Sequence, residues 1–465
     1  MIPYLRWAGV LIPGLALYFI PLPGFKPAQA HLLAIFVATI IALAVQPVKM
    51  GVSVFTSMTL LALTHTLTPA KILSGFGNVT LWLIFSAFLF ARAVTYTGLG
   101  MRVGYFFIAR FAKTPLTLGY SLAAADVALA PFIPSDTARG GGVIFPISRA
   151  VATVFQSEPE TTPRRMGTFL MLTSFHSTYT ASAMFLTGMA ANPLIAEFAM
   201  KFGHVELTWM RWFLGASLPG FLTLLLAPWI IFRMFTPEVT DTAPARELAR
   251  QKLKEAGPLS RQESWLSAIM LCVMAGWITS PWHGLPNSFV AFTGISAMLL
   301  VKVLPWEELL AEQKAWDALI WFAPLLMMSD ALNEGGTLKL LTGGFFAQLH
   351  GLPWGIVLIV LVAVYLYLHY TFASMTAHVT ALYTAFFIAA LAGGVPPLVA
   401  ALSLGYFSNL DASLTHYGTG SAPVFFNAGY VKQTDWWRLG FLLSLMHLTL
   451  WIGLGVWWWR LIGLW

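Results

Sequence analysis

The chain has 465 residues, of which 58% are hydrophobic and only 10% are charged. Because a soluble domain carries about 25% charged residues, this composition excludes a soluble protein and predicts an all-α protein embedded in a membrane. The net charge of +7 does not require a nucleic-acid partner, and the single cysteine excludes an intrachain disulfide and a cysteine-based metal site.

Apolar runs of about the length that spans a bilayer as a helix, roughly 20 residues, recur along the whole chain. They predict a polytopic membrane protein with about 11 transmembrane helices, at residues 8–23, 31–46, 51–66, 79–97, 166–190, 211–234, 264–280, 287–304, 317–333, 397–418 and 436–459. The first apolar segment has no A-x-A-like cleavage site, so residues 1–30 are interpreted as a first anchor helix rather than a signal peptide. With the N-terminus in the cytoplasm, most lysines and arginines fall on cytoplasmic segments, as the positive-inside rule expects.

One long hydrophilic stretch, residues 236–263, divides the chain into two similar halves and is predicted to be a cytoplasmic linker with a short surface helix. Residues 31–235 and 264–465 each contain a span, a short piece, an apolar hairpin and an interrupted span, in that order. The predicted hairpins cover residues 114–155 and 353–394, and the short pieces before them cover residues 101–113 and 337–350. Because each repeat has an odd number of spans, the second copy enters the membrane inverted. Inverted repeats with glycine- and proline-interrupted spans are typical of secondary transporters that bind substrate near the membrane midplane.

Each hairpin has a polar tip with the same pair of hydroxyl residues. Ser135 and Thr137 lie in "PSDTARGGG", and Ser374 and Thr376 lie in "FASMTAHVT". Serine and threonine before a helix often act as N-caps, but the unpaired backbone N–H groups at a helix start also attract anions. The same pair in both halves favours two re-entrant hairpins whose tips bind an organic anion.

The interrupted spans, "LTGMAANP" and "LTHYGTGSAP", contribute a second set of candidates. Non-helical backbone is tolerated at membrane depth only where it is buried in protein or lines a cavity. Its carbonyl groups suit a hard cation such as Na⁺, or the interruption simply permits a kink, and the sequence leaves both interpretations open. The candidate residues are Thr187, Gly188 and Asn192 in the first span, and Thr415, Gly418, Thr419 and Gly420 in the second. Four of these are also candidate substrate-binding residues: Thr187, Gly188, Thr415 and Thr419.

These motifs, together with "GYVKQTDWWRLGF" near the C-terminus, resemble the signatures of the divalent anion–sodium symporter (DASS) family. The similarity is greatest to its branch of bacterial citrate/succinate exchangers and plastid 2-oxoglutarate/malate translocators, and it covers nearly the whole chain. The resemblance implies a homodimer in which each protomer has a static scaffold domain and a transport domain that moves as an elevator. It also implies that the two tips hold a di- or tricarboxylate, with Na⁺ beside them in sodium-coupled members.

Asp136 and Met375 occupy the middle position of the two tips, where the family has asparagine between serine and threonine. Met375 offers no good oxygen ligand to a cation, which puts a sodium site at the second tip in doubt and favours exchange. Asp136 must be neutralised at membrane depth, by Arg139, by a bound Na⁺ or by a proton. We favour an Asp136–Arg139 pair, because it resolves both charges; in the alternative, Arg139 clamps a substrate carboxylate.

Other ionisable residues lie near these motifs. His378 and His416 lie beside the second tip and in the second interrupted span, where each either donates to substrate or makes a structural hydrogen bond. Asp126 and Asp411 are predicted to brace the hairpins. The spacing of nine residues between His369 and His378 is unfavourable for one metal ion, and no G-x-S-x-G or H-E-x-x-H motif suggests an enzyme.

The sequence and the resemblance together predict an antiporter of small carboxylates such as malate, succinate, 2-oxoglutarate or citrate. A Na⁺- or H⁺-coupled symporter of the same substrates is the alternative. Since the chain shows no transit peptide, a bacterial inner membrane is expected rather than a plastid envelope.

Overall fold

The computed structural model describes residues 3–21, 24–336 and 351–465. Within these ranges every regular element is a helix and no β-strand occurs, which confirms the predicted all-α class for the described residues. Among the described residues, six helices are long and apolar enough to cross a membrane. The predicted short piece at residues 337–350 lies outside the described residues, and the number of 11 spans stays a prediction.

The helices before the linker are numbered in chain order. They are α1 (Pro3–Phe19), α2 (Pro27–Val45), α3 (Met50–Leu63), α4 (Pro69–Leu73), α5 (Val79–Thr97), α6 (Leu99–Phe111), α7 (Pro115–Leu129), α8 (Phe145–Val154), α9 (Gly167–Met184), α10 (Asn192–Gly203) and α11 (Trp209–Met234).

The linker and the second half contain the remaining helices. They are α12 (Ala243–Glu255), α13 (Arg261–Ile278), α14 (Ser280–His283), α15 (Asn287–Leu300), α16 (Trp306–Ala311), α17 (Gln313–Glu334), α18 (Trp354–Leu368), α19 (Met375–His378), α20 (Thr384–Ala392), α21 (Pro397–Leu410), α22 (Ala422–Phe426), α23 (Gln433–His447) and α24 (Gly455–Leu461).

The hydrophilic linker is attached to the first half of the chain. It contains α12, in agreement with the predicted surface helix, and the turn that follows is held by Arg102 of α6. Arg102 donates from Nη1 to the carbonyl of Gly257 over 2.8 Å and pairs through Nε with Glu263 over 2.6 Å. Ser260 caps α13 by accepting a hydrogen bond from the Glu263 amide. The linker is therefore anchored at its C-terminal end.

Each predicted hairpin consists of two helical arms joined by a non-helical tip. The first arm pair is α7 and α8, and the second is α18 and the segment from α19 to α20. After each tip the helix contains a π-helical stretch, at Thr137–Ile144 and Val379–Tyr383, a feature frequent at functional sites. The "GGG" run allows close packing here, because a Cβ on Gly140 would lie 2.7 Å from Cγ2 of Thr178 in α9.

Both predicted interruptions occur. Residues 185–191 separate α9 from α10, and residues 411–421, which include one short 3₁₀ turn, separate α21 from α22. Helix ends leave backbone carbonyl groups without partners. At each interruption, side chains are therefore needed that donate hydrogen bonds to these carbonyl groups.

Asn192 satisfies the end of α9. Its Nδ2 donates to the carbonyls of Ser182 and Phe185, each over 3.0 Å. Its Oδ1 accepts from Nδ2 of Asn409 over 2.8 Å. Asn192 therefore joins the two interrupted spans to each other inside the protein.

Candidate functional site

The two hairpin tips and the two interrupted spans meet at one cavity of about 150 Å³. Most of its lining belongs to these four segments, although the tips are far apart in sequence. The residues that line it are Phe88, Pro134, Ser135, Asp136, Thr137, Met189, Ala190, Ser374, Met375, Thr376, Thr419 and Gly420. The structure thus brings together all six tip residues that the sequence singled out.

A larger cavity of about 340 Å³ lies between α1, α2 and α3. It is lined mainly by apolar side chains, among them Trp7, Leu11 and Leu60, and these three are also exposed on the surface of the chain. A ligand site usually combines apolar walls with a few convergent polar groups. The smaller cavity at the tips has those groups and is the better candidate for an anion.

The tip serines cap the helices that follow them. Ser135 Oγ accepts from the Ala138 amide over 3.1 Å, and Ser374 Oγ accepts from the Ala377 amide over 3.3 Å. A hydroxyl that accepts from the backbone keeps its own hydrogen for donation. Each serine therefore acts as an N-cap and still offers a donor to the cavity, so the two interpretations of the tip residues are compatible.

Asp136 is held by hydroxyl groups. Thr419 and Ser421 both donate to Oδ2, the latter over 2.8 Å, and Thr137 lies 3.4 Å from Oδ1. Asp136 is only 6% exposed. The two donors to Oδ2 belong to the second half of the chain, so this carboxylate joins the first tip to the second interrupted span.

Arg139 pairs with Asp126, and the predicted Asp136–Arg139 pair is wrong. Both partners of the observed pair are 0% exposed. Arg139 also donates to the carbonyls of Ile133 (2.8 Å), Thr178 (2.8 Å) and Gly188 (3.3 Å). A further bond reaches the Ser182 hydroxyl over 2.7 Å.

These five bonds use every N–H of the guanidinium. The substrate-clamp alternative is wrong as well, because no donor is left and Arg139 does not line the cavity. The pair instead braces the first hairpin against α9 and the first interrupted span. The bracing role predicted for Asp126 is confirmed.

A second buried cluster braces the second hairpin. His378 Nδ1 lies 2.5 Å from Asp411 Oδ2, and His369 Nδ1 lies 3.1 Å from the same oxygen. His369 Nε2 lies 2.8 Å from the carbonyl oxygen of Gly418; because a carbonyl only accepts, this nitrogen carries the hydrogen. The cluster confirms the bracing role of Asp411.

The spacing of nine residues, taken as unfavourable for one metal ion, does not keep His369 and His378 apart, so that argument was wrong. Their Nδ1 atoms lie 3.1 Å apart, because the chain turns back at the tip between α18 and α19. Neither imidazole lines the cavity, and both are 0% exposed. His378 is therefore a positioning residue in this structure and does not contact the cavity.

The other predicted residues lie around the cavity without lining it. Thr187 Oγ1 donates to the Pro131 carbonyl over 2.6 Å. His416 accepts through Nδ1 from Trp437 Nε1 over 3.0 Å. Thr415 is fully buried, and its hydroxyl has no hydrogen-bond partner within the described part of the chain. Gly188 and Gly418 supply the carbonyl groups that the two braces hold.

Comparison with known families decides the class of protein. The family model described as "Sodium:sulfate symporter transmembrane region" matches residues 5–465. The chain belongs to this family. The match extends over nearly the whole chain and confirms the resemblance to the divalent anion–sodium symporters.

Relatives from bacteria and plants are similar along almost their full length. A "Putative malate transporter YflS" of Bacillus subtilis is 45% identical over 97% of this chain and 95% of its own. "Dicarboxylate transporter 1, chloroplastic" of Arabidopsis thaliana is 41% identical over 97% of this chain and 82% of its own. A "Citrate/succinate antiporter" of Escherichia coli is 32% identical over 97% and 96%. Like these relatives, the chain is a membrane transporter and not an enzyme.

A solved structure shares the fold. The YdaH transporter of Alcanivorax borkumensis superposes with a TM-score of 0.56 over 85% of this chain and 88% of that chain. At 16% sequence identity, this similarity shows a common helical architecture and carries no information on the substrate.

Phe88 is the lining residue for which the family motifs gave no signal. It lies in the middle of α5, an apolar helix in which one phenylalanine is not distinguishable from its neighbours by sequence. Met189 lies inside the quoted "LTGMAANP" segment, but its apolar side chain offered no reason to select it. Apolar walls of a polar cavity are recognised only once the helices are assembled.

Proposed function

We propose that this member of the family is a secondary active transporter of di- and tricarboxylates, the class of malate, succinate, 2-oxoglutarate and citrate. The observation that carries the proposal is the cavity, where two capped helix starts from opposite halves of the chain face each other. Helix N-termini and hydroxyl groups hold carboxylates without a fixed positive charge. The relatives named as malate, dicarboxylate and citrate/succinate transporters support this substrate class.

Exchange is the mode of transport that the interrupted spans favour. Their carbonyl groups were the candidate Na⁺ ligands, but Arg139 holds the carbonyl of Gly188 and His369 holds that of Gly418. Met375 adds no oxygen ligand beside the second tip. A cation at either glycine would have to displace a buried hydrogen-bond donor, which supports antiport.

One observation favours the alternative of coupled symport. Asp136 lies against the cavity, its partners in the described part of the chain are all hydroxyl groups, and a Na⁺ or a proton bound there would neutralise it. A symporter driven by either ion is therefore the second candidate.

Membership of the family also supports a proposal for the assembly, orientation and motion of the protein. We propose a homodimer in the bacterial inner membrane, with the N-terminus in the cytoplasm and the hairpins and interrupted spans moving as a transport domain in an elevator motion. An inner membrane protein of Escherichia coli is 34% identical over 94% of this chain, which supports the location.

The test is uptake of labelled malate into proteoliposomes that contain the purified protein. Exchange predicts uptake only when unlabelled dicarboxylate is inside, with no response to Na⁺ or pH gradients. Uptake into empty vesicles driven by either gradient would replace the exchanger with the symporter. Absence of uptake under every condition would contradict the carboxylate class itself.

Gly420 allows the second interrupted span to approach the first tip. A Cβ at this position would lie 2.5 Å from Oγ1 of Thr137 and 3.2 Å from its Cγ2. Gly420→Ala is therefore expected to displace the Thr137 hydroxyl and to raise the KM for malate about tenfold, the equivalent of about 1.4 kcal/mol.

Gly142→Ala is the matched control for Gly420→Ala. Gly142 lies in the first hairpin, and nothing lies within 4 Å of a Cβ built on it. Its KM in the same exchange assay is expected to stay within about twofold of the original. Equal KM values for the two variants would show that contact with Thr137 does not position the tip.

A further inference from the structure

One acidic side chain lines the cavity, and the charge of its ionised form is opposite to what an anion site needs. Of the twelve residues that line it, only Asp136 has an acidic or basic side chain. The serine and threonine hydroxyls and the two helix starts can all donate hydrogen bonds to a carboxylate. An ionised Asp136 repels a carboxylate at close range, so the bound molecule must place a different group beside it.

Hydrogen-bond capacity defines that group. An ionised carboxylate only accepts, and its two oxygens offer about four acceptor positions. Thr419 and Ser421 donate to Oδ2, whereas the one donor to Oδ1 among the described residues is Thr137, at 3.4 Å. Acceptor capacity therefore remains on a residue of the cavity wall, and a ligand that supplies a donor satisfies it.

The two sides of the cavity then require opposite chemistry from one molecule. The hydroxyl groups of Ser135, Ser374 and Thr376 suit the carboxylate ends, and Asp136 suits an O–H. A site with a buried polar group strongly rejects an analogue that lacks the matching group, because its own group is left unpaired.

We propose that Asp136 is a specificity-determining residue that selects carboxylates presenting an O–H donor to the cavity. The donor is either a hydroxyl on the carbon chain, as in malate and citrate, or the O–H of a carboxyl group that stays protonated when the other carboxyl group of the substrate is ionised. This inference rests on the proposed carboxylate transport and narrows its substrate class. Malate is then preferred over succinate, which has the same carbon skeleton without the hydroxyl.

The first experiment uses the unaltered protein in proteoliposomes and three competitors of labelled malate exchange. These are malate, succinate and 2-methylsuccinate, whose methyl group has about the size of the hydroxyl but cannot donate. At pH 8, malate is expected to compete at least tenfold more strongly than the other two. The same preference at pH 6 identifies the hydroxyl as the donor.

The comparison of pH 6 with pH 8 distinguishes a carboxyl proton from a hydroxyl as the donor. If a carboxyl proton supplies it, the three compounds compete about equally and each competes more strongly at pH 6 than at pH 8. Equal competition that does not change with pH would overturn the proposal. No exchange of any carboxylate would instead contradict the proposed function, and the specificity assigned to Asp136 would fall with it.

The second experiment replaces the acceptor. Asp136→Asn supplies an amide that both donates and accepts, so the ratio of succinate competition to malate competition is expected to rise at least fivefold. If a carboxyl proton is the donor, the variant loses the difference between pH 6 and pH 8 instead.

Asp241→Asn makes the same chemical change at an exposed position of the linker and serves as the control. An unchanged ratio of succinate to malate competition and an unchanged pH effect in Asp136→Asn would overturn the proposal. Should this variant fail to fold, the comparison of malate with 2-methylsuccinate in the unaltered protein decides alone.

Discussion

Replacing Arg139 with methionine is expected to lower the free energy of unfolding by about 3–5 kcal/mol, the cost of leaving a buried charge without its partner. Asp126 would remain 0% exposed beside an apolar side chain. Three backbone carbonyls and one hydroxyl would also lose the donor that holds them. Thermal unfolding in detergent, followed by size-exclusion chromatography, measures the loss.

Two further variants show how much of the stability lost in Arg139→Met is due to the unpaired buried charge. Asp126→Asn added to Arg139→Met removes the unpaired charge and is expected to recover part of the stability, because a neutral side chain costs less to bury. Arg250→Met, at an exposed arginine 3.8 Å from Glu247, is expected to change stability by less than about 1 kcal/mol. A loss in Arg139→Met no larger than in Arg250→Met would contradict the brace.

The positions of the hairpins and interruptions followed from the sequence because their signals are local. A polar "PSDTARGGG" or "LTHYGTGSAP" inside an apolar run marks irregular backbone wherever the chain goes next. The halves also repeat the same order of elements. Helix bounds such as Val79–Thr97 in α5, for which residues 79–97 were predicted, follow from an asparagine cap and a glycine at φ 80°.

The partner of Arg139 did not follow from the sequence. The predicted pair with Asp136 assumed that an acid three positions away on a helix is the nearest one. The chain is instead π-helical after the tip, and the hairpin brings α7 alongside. Asp126, 13 positions earlier, is thereby closer to the guanidinium than Asp136 is. Sequence distance is a poor guide wherever the chain reverses.

The same reversal explains the second cluster. His369 directly follows α18 and His378 ends α19, so the tip between them places their rings together although nine positions separate them. Asp411 joins them only because α21 packs on both arms. Contacts among three segments depend on tertiary packing, which no local pattern encodes.

The two hairpins are braced in equivalent ways. Arg139 follows Ser135 by four positions, and His378 follows Ser374 by four positions. Arg139 holds the carbonyl of an interrupted-span glycine directly. His378 is linked to the corresponding carbonyl in the second half through Asp411 and His369. In both halves, therefore, a buried cluster of an acid and a nitrogen base links a hairpin to its interrupted span.

Asp411→Ala tests this equivalence and is expected to cost about 3 kcal/mol of unfolding free energy. The change removes the carboxylate that accepts from His378 and faces Nδ1 of His369, and a hydrogen bond to a charged group contributes about 1.5–3 kcal/mol. It also releases the imidazole that holds the Gly418 carbonyl, so malate exchange is expected to fall even in protein that remains folded. Unfolding temperature and exchange rate are measured on the same preparation.

Asp411→Asn keeps one oxygen acceptor and is expected to lose about half as much stability. The control is Asp435→Ala, at a half-buried acid in the first turn of α23. It is expected to lose less than about 1 kcal/mol. A loss in Asp411→Ala equal to that in Asp435→Ala would show that the cluster does not brace the second hairpin. Because the Arg139 guanidinium makes five bonds and its removal leaves an unpaired charge, Arg139→Met should be the more damaging change. The opposite order would mean that the second hairpin depends on its brace more than the first.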